Sequence, residues 1–209
     1  LFLMTDQMQG RVLDPEHPCI TPNFDKLAAE GVRFSRAYTP NAVCSPARAS
    51  LMTGLLPHSH GVLEVIHCVD QDQCNLRTEF PHWAQRLEAS GYQNGYFGKW
   101  HVERTDNLKN FGWQVDGGVS SDLYANKREA VGGTDKGKGE FSLKKTNDFP
   151  VGYSNSLLYG VTDIPAEQRG VGVTTELAPD FLKDQGEDPW CCFVSITEPH
   201  DPFVTGQVA

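Results

Sequence analysis

Apolar positions along the chain fall into two rhythms, one suited to strands and one to helices. Residues 1–5 open with the run Leu1-Phe2-Leu3-Met4, which reads as a buried strand ending at the polar pair Asp6-Gln7. Thr21-Pro22-Asn23-Phe24-Asp25 predicts a helix start, with Thr21 as N-cap, Pro22 at the first helical position and Asp25 in the first turn. Phe24, Leu27 and Ala28 continue that helix on one face, Gly31 stops it, and 32–37 resembles a short strand. A second helix is expected from Ser45-Pro46, with Leu51, Met52 and Leu55 as its apolar side. A third is expected over about 79–90, where Phe80, Trp83 and Leu87 recur at helical spacing before Gly91. It leads into a strand over 92–97, followed by Gly98-Lys99-Trp100-His101. The same order returns at the end. Residues 175–183 are helical in pattern, and 190–196 form an apolar strand followed by Glu198-Pro199-His200.

Strands alternating with helices, two of them near-continuously apolar, predict an α/β fold with a mostly parallel central sheet flanked by helices. Between 102 and 173 the periodicity fades and glycines and polar residues dominate, which predicts a functional insertion or lid. Asp6-Gln7, Lys99 with His101, and His200 each fall just beyond the carboxyl end of a predicted strand. In open α/β sheets that edge is where ligands bind, so three polar groups distant in sequence converge on one rim.

Composition narrows the function classes. The 209 residues carry a formal net charge of −9, which argues against nucleic-acid or anionic-membrane binding. A small anionic substrate would need a local cluster of cations against that background. No apolar run is long enough to cross a bilayer, and no signal peptide is visible ahead of the opening strand. Periplasmic, secreted and cytoplasmic locations all stay open, as does oligomeric state. None of the six cysteines forms a CxxC pair or a zinc-finger set. Cys68 and Cys74 could close a short disulfide loop or remain two thiols, and Cys191-Cys192 read as buried structural residues.

Residues 42–54 carry the strongest chemical signal: Ala-Val-Cys-Ser-Pro-Ala-Arg-Ala-Ser-Leu-Met-Thr-Gly. Cys44 stands at a helix entrance, Pro46 fixes the turn, and Arg48 lies on the same side one turn on. Free N–H groups at the helix start add partial positive charge. A nucleophile, a guanidinium and a helix N-terminus together suit attack on a tetrahedral oxyanion. Lys99 and His101, two apart in extended backbone, point to one side. His58 and His60 read as turn residues, and His17, His67 and His82 have no partner legible in sequence.

The run Cys44-x-Pro46-x-Arg48 with Thr53-Gly54 resembles the signature of the type I sulfatases, in which the cysteine is oxidised to formylglycine. Five fixed positions match by chance on the order of 1 in 10,000 times in a chain of this length. Gly91-Tyr92-Gln93-Asn94-Gly95-Tyr96-Phe97-Gly98-Lys99-Trp100-His101 resembles the second family motif, with Asn94 where Ser or Thr is usual. Met4-Thr5-Asp6-Gln7 is similar to the first metal-binding turn, and Glu198-Pro199-His200-Asp201-Pro202-Phe203 to the segment bearing a second active-site histidine. The resemblance implies an alkaline-phosphatase-like fold, with 1–209 as the N-terminal part of a sulfatase catalytic domain. It implies a divalent cation, calcium on all-oxygen ligands with magnesium or manganese as alternatives, held by Asp6, Gln7 and the modified Cys44. Arg48 would hold the formylglycine diol, Lys99 the sulfate oxygens, His101 the diol's proton and His200 the leaving alcohol, the two histidines being interchangeable in role. The implied partners are a formylglycine-generating enzyme and a small-molecule or carbohydrate sulfate ester. A phosphomonoester or phosphonate monoester hydrolase of the same superfamily, and a non-catalytic anion-binding scaffold, are the alternative readings.

Overall fold

The structure is a computed structural model and describes residues 1–72, 74–134 and 159–206. Its centre is a four-stranded, wholly parallel sheet in the order β1-β5-β2-β3. These strands are β1 (Phe2–Thr5), β2 (Gln93–Gly98), β3 (Val115–Gly118) and β5 (Trp190–Ile196). The helices are α1 (Pro22–Glu30), α2 (Cys44–Thr53), α3 (Pro57–His60), α4 (Trp83–Ala89), α5 (Asp122–Ala130) and α6 (Gly170–Lys183). A separate parallel pair joins β4 (Tyr159–Thr162) to β6 (Phe203–Gly206).

Alternation along the inner strands divides the core into two layers. Tyr96 and Phe193 face one side, where they pack with Met52 of α2, Ala84 of α4, Trp100 and Trp113. Phe97, Cys192 and Val194 face the other, against Val173, Leu177 and Phe181 of α6 and Tyr124 of α5. Both faces of β2 and β5 are therefore covered, and β5 accordingly reads as a nearly continuous apolar run. Register aligns Gly98 with Ser195 and Thr5 with Ile196, so the strands end at one common edge.

Several expectations need correction. The strand at 1–5 forms but is not buried: among the described residues it pairs only with β5, and Leu1 and Leu3 are 67% and 56% exposed. The helix at α1 forms and stops at Gly31, yet buries none of its residues, and Thr21 makes no side-chain cap bond. No strand forms over 32–37, where Val32 and Phe34 are exposed and no described segment offers them a ladder. The third helix begins at Trp83 rather than 79: His82, after Pro81, is extended at φ −64° and ψ 152°, and its N–H is taken by Gln85 Oε1 at 2.7 Å. The last helix begins five residues earlier, at Gly170. Its weak helix formers Gly170 and Gly172 hid the first turn from sequence, but a Cβ at Gly172 would lie 2.4 Å from the Ala166 carbonyl oxygen. Strand β3 and helix α5 lie within 102–173, the stretch expected to be an insertion or lid. With one apolar side chain in four residues, Val-Asp-Gly-Gly gives no strand signal, although β2 pairs with it fully. Residues 135–158 of that stretch lie outside the described residues.

Candidate active site

The parallel sheet brings the three expected segments to one edge. Beyond β1, the Asp6 N–H donates to the Ile196 carbonyl at 3.0 Å. Beyond β2, the Lys99 N–H donates to the Ser195 carbonyl, also at 3.0 Å. Gly98 makes that exit possible, with φ at +97° and room for no Cβ: one placed there would lie 2.1 Å from the Ser195 oxygen. Beyond β5, a turn closed by the His200 N–H on the Thr197 carbonyl carries His200.

Arg48, in the second turn of α2 and only 4% exposed, ties these strand ends together. Its Nη1 donates to the Lys99 carbonyl at 2.9 Å and to Ser195 Oγ at 2.8 Å, and its Nη2 meets Asp6 Oδ2 at 3.0 Å. Lys99 Nζ reaches the same Asp6 oxygen at 2.5 Å, and the Tyr96 hydroxyl donates to the Lys99 carbonyl at 2.6 Å. Burial would push the Asp6 carboxyl up, but the hydrogen bond from Lys99 and the charges of Arg48 and Lys99 outweigh it and hold the group below its ordinary range. Burial pushes the Tyr96 phenol up to about 12, so it stays a donor.

Cys44 opens α2 and lines two adjoining cavities. One, of 1010 Å³, is lined by Asp6, Gln7, Cys44, Arg48 and His200. The other, of 680 Å³, is lined by Cys44, Lys99, His101 and His200 together with His67 and Asp106. All seven residues singled out from sequence thus lie along one rim, with Cys44 and His200 common to both cavities. His101 takes φ +54°, and its Nε2 lies 2.9 Å from His67 Nδ1 with the rings stacked at 4.9 Å. Burial, then the charge of Lys99, lowers the His101 imidazole to about 4, so it is neutral near pH 7. His200 Nδ1 lies 2.6 Å from the Asp201 carbonyl, which fixes a proton on that nitrogen.

Three residues in this arrangement were not found by sequence reasoning. Ser195 had a usable signal, as a lone hydroxyl near the carboxyl end of an apolar strand. Tyr96 and His67 had none, since their partners lie three and thirty-four positions away and meet them only through the fold. His60 is a satisfied core residue, with Nε2 2.9 Å from Ser50 Oγ and Nδ1 accepting from the Val62 N–H. All six cysteines are free, and Cys74 Sγ donates to the Glu64 carbonyl, so no Cys68–Cys74 disulfide is present.

For the expected cation the donors are of the right kind but too few. Asp6 is the one carboxylate lining the larger cavity, and its Oδ2 is already taken by Arg48 and Lys99. Among the described residues no cluster of three or more His, Cys, Asp or Glu could hold a metal ion. Calcium takes six to eight oxygens, so Asp6 and Gln7 do not by themselves fit it. Residue 44 does suit conversion to formylglycine: it is partly exposed, at a helix N-terminus, and open to both cavities.

Solved structures share the fold of this chain. The phosphonate monoester hydrolase of Agrobacterium radiobacter superposes on 99% of the chain, with a TM-score of 0.72 and 20% identity, over 42% of its own chain. The yidJ sulfatase structure from Bacteroides fragilis covers 96% of the chain and 43% of its own, with a TM-score of 0.63 and 24% identity. At those identities the likeness is one of fold. Residues 1–208 match the Sulfatase family, and the chain belongs to it. The choline-sulfatase of Rhizobium meliloti is 29% identical over 98% of this chain and 38% of its own length. Human arylsulfatase A is 42% identical over 41% of this chain and 17% of its own length. The chain thus spans about two fifths of the length of the relatives that match nearly all of it.

Proposed function

We propose that the protein hydrolyses a sulfate monoester of a small molecule or carbohydrate, using a nucleophile made from Cys44 by a formylglycine-generating enzyme. The observation that supports this most is the position of Cys44. It stands at the start of α2 where the two cavities meet, with Arg48 in one wall and Lys99 in the other. Formylglycine at that position supplies an aldehyde hydrate, which serves as nucleophile and carries its own route to product release.

The remaining chemistry falls to residues of this chain. The Lys99 ammonium, on the side of the smaller cavity, binds sulfate oxygens and offsets their charge. Arg48 holds the helix against the three strand ends and adds positive potential. His101, neutral near pH 7, accepts a proton at the nucleophile. His200, its Nδ1 proton committed to the Asp201 carbonyl, delivers a proton from Nε2 to the leaving alcohol when doubly protonated. The cation expected for the family would be calcium, with Asp6, Gln7 and residue 44 among its ligands.

Mass spectrometry of the full-length protein, co-expressed with a formylglycine-generating enzyme, tests the nucleophile on the tryptic peptide 37–48. Conversion of Cys44 with turnover of an aryl sulfate supports the proposal. An intact thiol beside a converted control sulfatase rejects it. Faster turnover of an aryl phosphate or phosphonate moves the activity to phosphorus, and sulfate binding without turnover leaves an anion-binding scaffold.

A further inference from the structure

His67 belongs to neither sequence motif, yet it makes the closest polar contact of His101. The two imidazoles share one hydrogen bond, His67 Nδ1 to His101 Nε2 at 2.9 Å, and stack with centroids 4.9 Å apart and planes 21° apart. His67 is exposed, whereas His101 is largely enclosed, and both line the cavity that Cys44 enters. With Nε2 occupied, Nδ1 is the nitrogen of His101 left for chemistry, and it is buried with no hydrogen-bond partner among the described residues.

A neutral imidazole has one donor nitrogen and one acceptor, so the shared bond decides which is which. If His67 donates, His101 carries its proton on Nδ1 and has no lone pair there to accept one. If His101 donates from Nε2–H, its Nδ1 keeps a lone pair and can take a proton. The proposed chemistry, on which this inference rests, requires the second case.

We propose that His67 is a positioning and relay residue for His101: its Nδ1 accepts the His101 Nε2–H, holds Nδ1 of His101 as the base, and passes the proton to solvent. The balance is simple. A proton arriving on His101 Nδ1 makes that ring an imidazolium, the Nε2 proton moves along the 2.9 Å bond to His67 Nδ1, and His67 gives up its own Nε2 proton to water. Both rings end neutral with their tautomers exchanged; once product has left, His67 Nε2 takes a proton from water, the Nδ1 proton of His67 returns to His101 Nε2, and His101 Nδ1 releases its proton to water entering the cavity. Lys99, Asp106, Asp116, His200 and Asp201, which line the same cavity, set the surrounding charge.

Two measurements test this on the full-length enzyme. In the first, His67→Phe keeps the stacked ring and removes the acceptor, while His67→Asn restores an acceptor near the Nδ1 position. The expected result is a fall in kcat of roughly tenfold or more for His67→Phe, with KM little changed and partial recovery in His67→Asn. A raised KM at unchanged kcat would make His67 a leaving-group contact and overturn the proposal, as would equal kcat in all three proteins. The second needs no turnover: ¹⁵N NMR of histidine-labelled protein reads the His101 tautomer directly. The proposal expects the Nε2–H form in the wild type and its loss in His67→Phe. An Nδ1–H His101 in the wild type overturns it, even if the sulfatase reading holds. An unmodified Cys44 with the expected tautomer would instead reject the sulfatase reading alone.

Discussion

Arg48 Nη2 lies 3.0 Å from Asp6 Oδ2, joining the second turn of α2 to the end of β1 across forty-two residues of sequence. The same guanidinium holds the Lys99 carbonyl and the Ser195 hydroxyl, so one side chain fixes the ends of three strands. A cation expected only to touch the reacting group is thus also the clasp of the site.

Removing that clasp costs stability before it costs chemistry. Arg48→Ala leaves a partly buried carboxylate with only Lys99 beside it, and the expected loss is about 3 kcal/mol. Arg48→Lys keeps the charge but cannot span three acceptors, and should recover only part of the loss. Urea unfolding of both variants measures this; a wild-type midpoint for Arg48→Ala would show that the clasp contributes nothing.

His82 predicts an acid-sensitive core. It is 1% exposed, stacks on Phe111 at 4.5 Å, and burial pushes its imidazole down to about 4. Between about pH 6.5 and 4 the unfolded chain binds a proton there that the folded chain does not, so stability falls as pH falls through that window. His82→Phe keeps the stack and should flatten the decline by roughly 3 kcal/mol. Some slope remains, because His101 titrates in the same window. Denaturation midpoints of both proteins at pH 4.5 and 7 provide the comparison, and identical slopes would count against a neutral buried His82.

Gly98→Ala should disturb the site through backbone alone. Its Cβ would meet the Ser195 oxygen at 2.1 Å and Thr174 Cγ2 at 2.8 Å, with φ in the left-handed region. The expected cost is about 2 kcal/mol or more, with Lys99 displaced. Thermal unfolding, together with sulfate affinity of the full-length protein, reports both effects, and an unshifted melting temperature contradicts the close approach.

Lys99→Ala separates binding charge from scaffold. The ammonium is 15% exposed and pairs with an Asp6 oxygen that Arg48 also holds, so the fold should persist. The sulfate-ester turnover proposed for the full-length protein should drop by about 100-fold or more. Steady-state kinetics beside circular dichroism would reveal it, and near-normal turnover would remove Lys99 from the site.

The parts of the molecule that sequence made legible share a cause. Strand β5 is covered on both faces, so its apolar run is nearly unbroken, and α2 begins at the Cys44-Ser45-Pro46 signal within one residue of expectation. Where burial is partial the signal weakens or misleads. Strand β3 was missed because two of its four residues are glycine, and 32–37 was misread because its apolar residues are exposed. The motifs placed Cys44, Arg48, Lys99 and His101 along one rim, since each follows directly from a strand end or a helix start.

Sequence by itself determined the alternation of elements, the parallel sheet, and which short segments would stand at its carboxyl edge. Those follow from local periodicity and from the rule that parallel strands all end on one side. Only the tertiary structure decided how the segments bind one another: that Arg48 spans Asp6, Lys99 and Ser195, and that His67 meets His101. Such contacts join residues tens to more than a hundred positions apart. Strand order and helix placement create them, and no local pattern of side chains encodes a distance across the sheet.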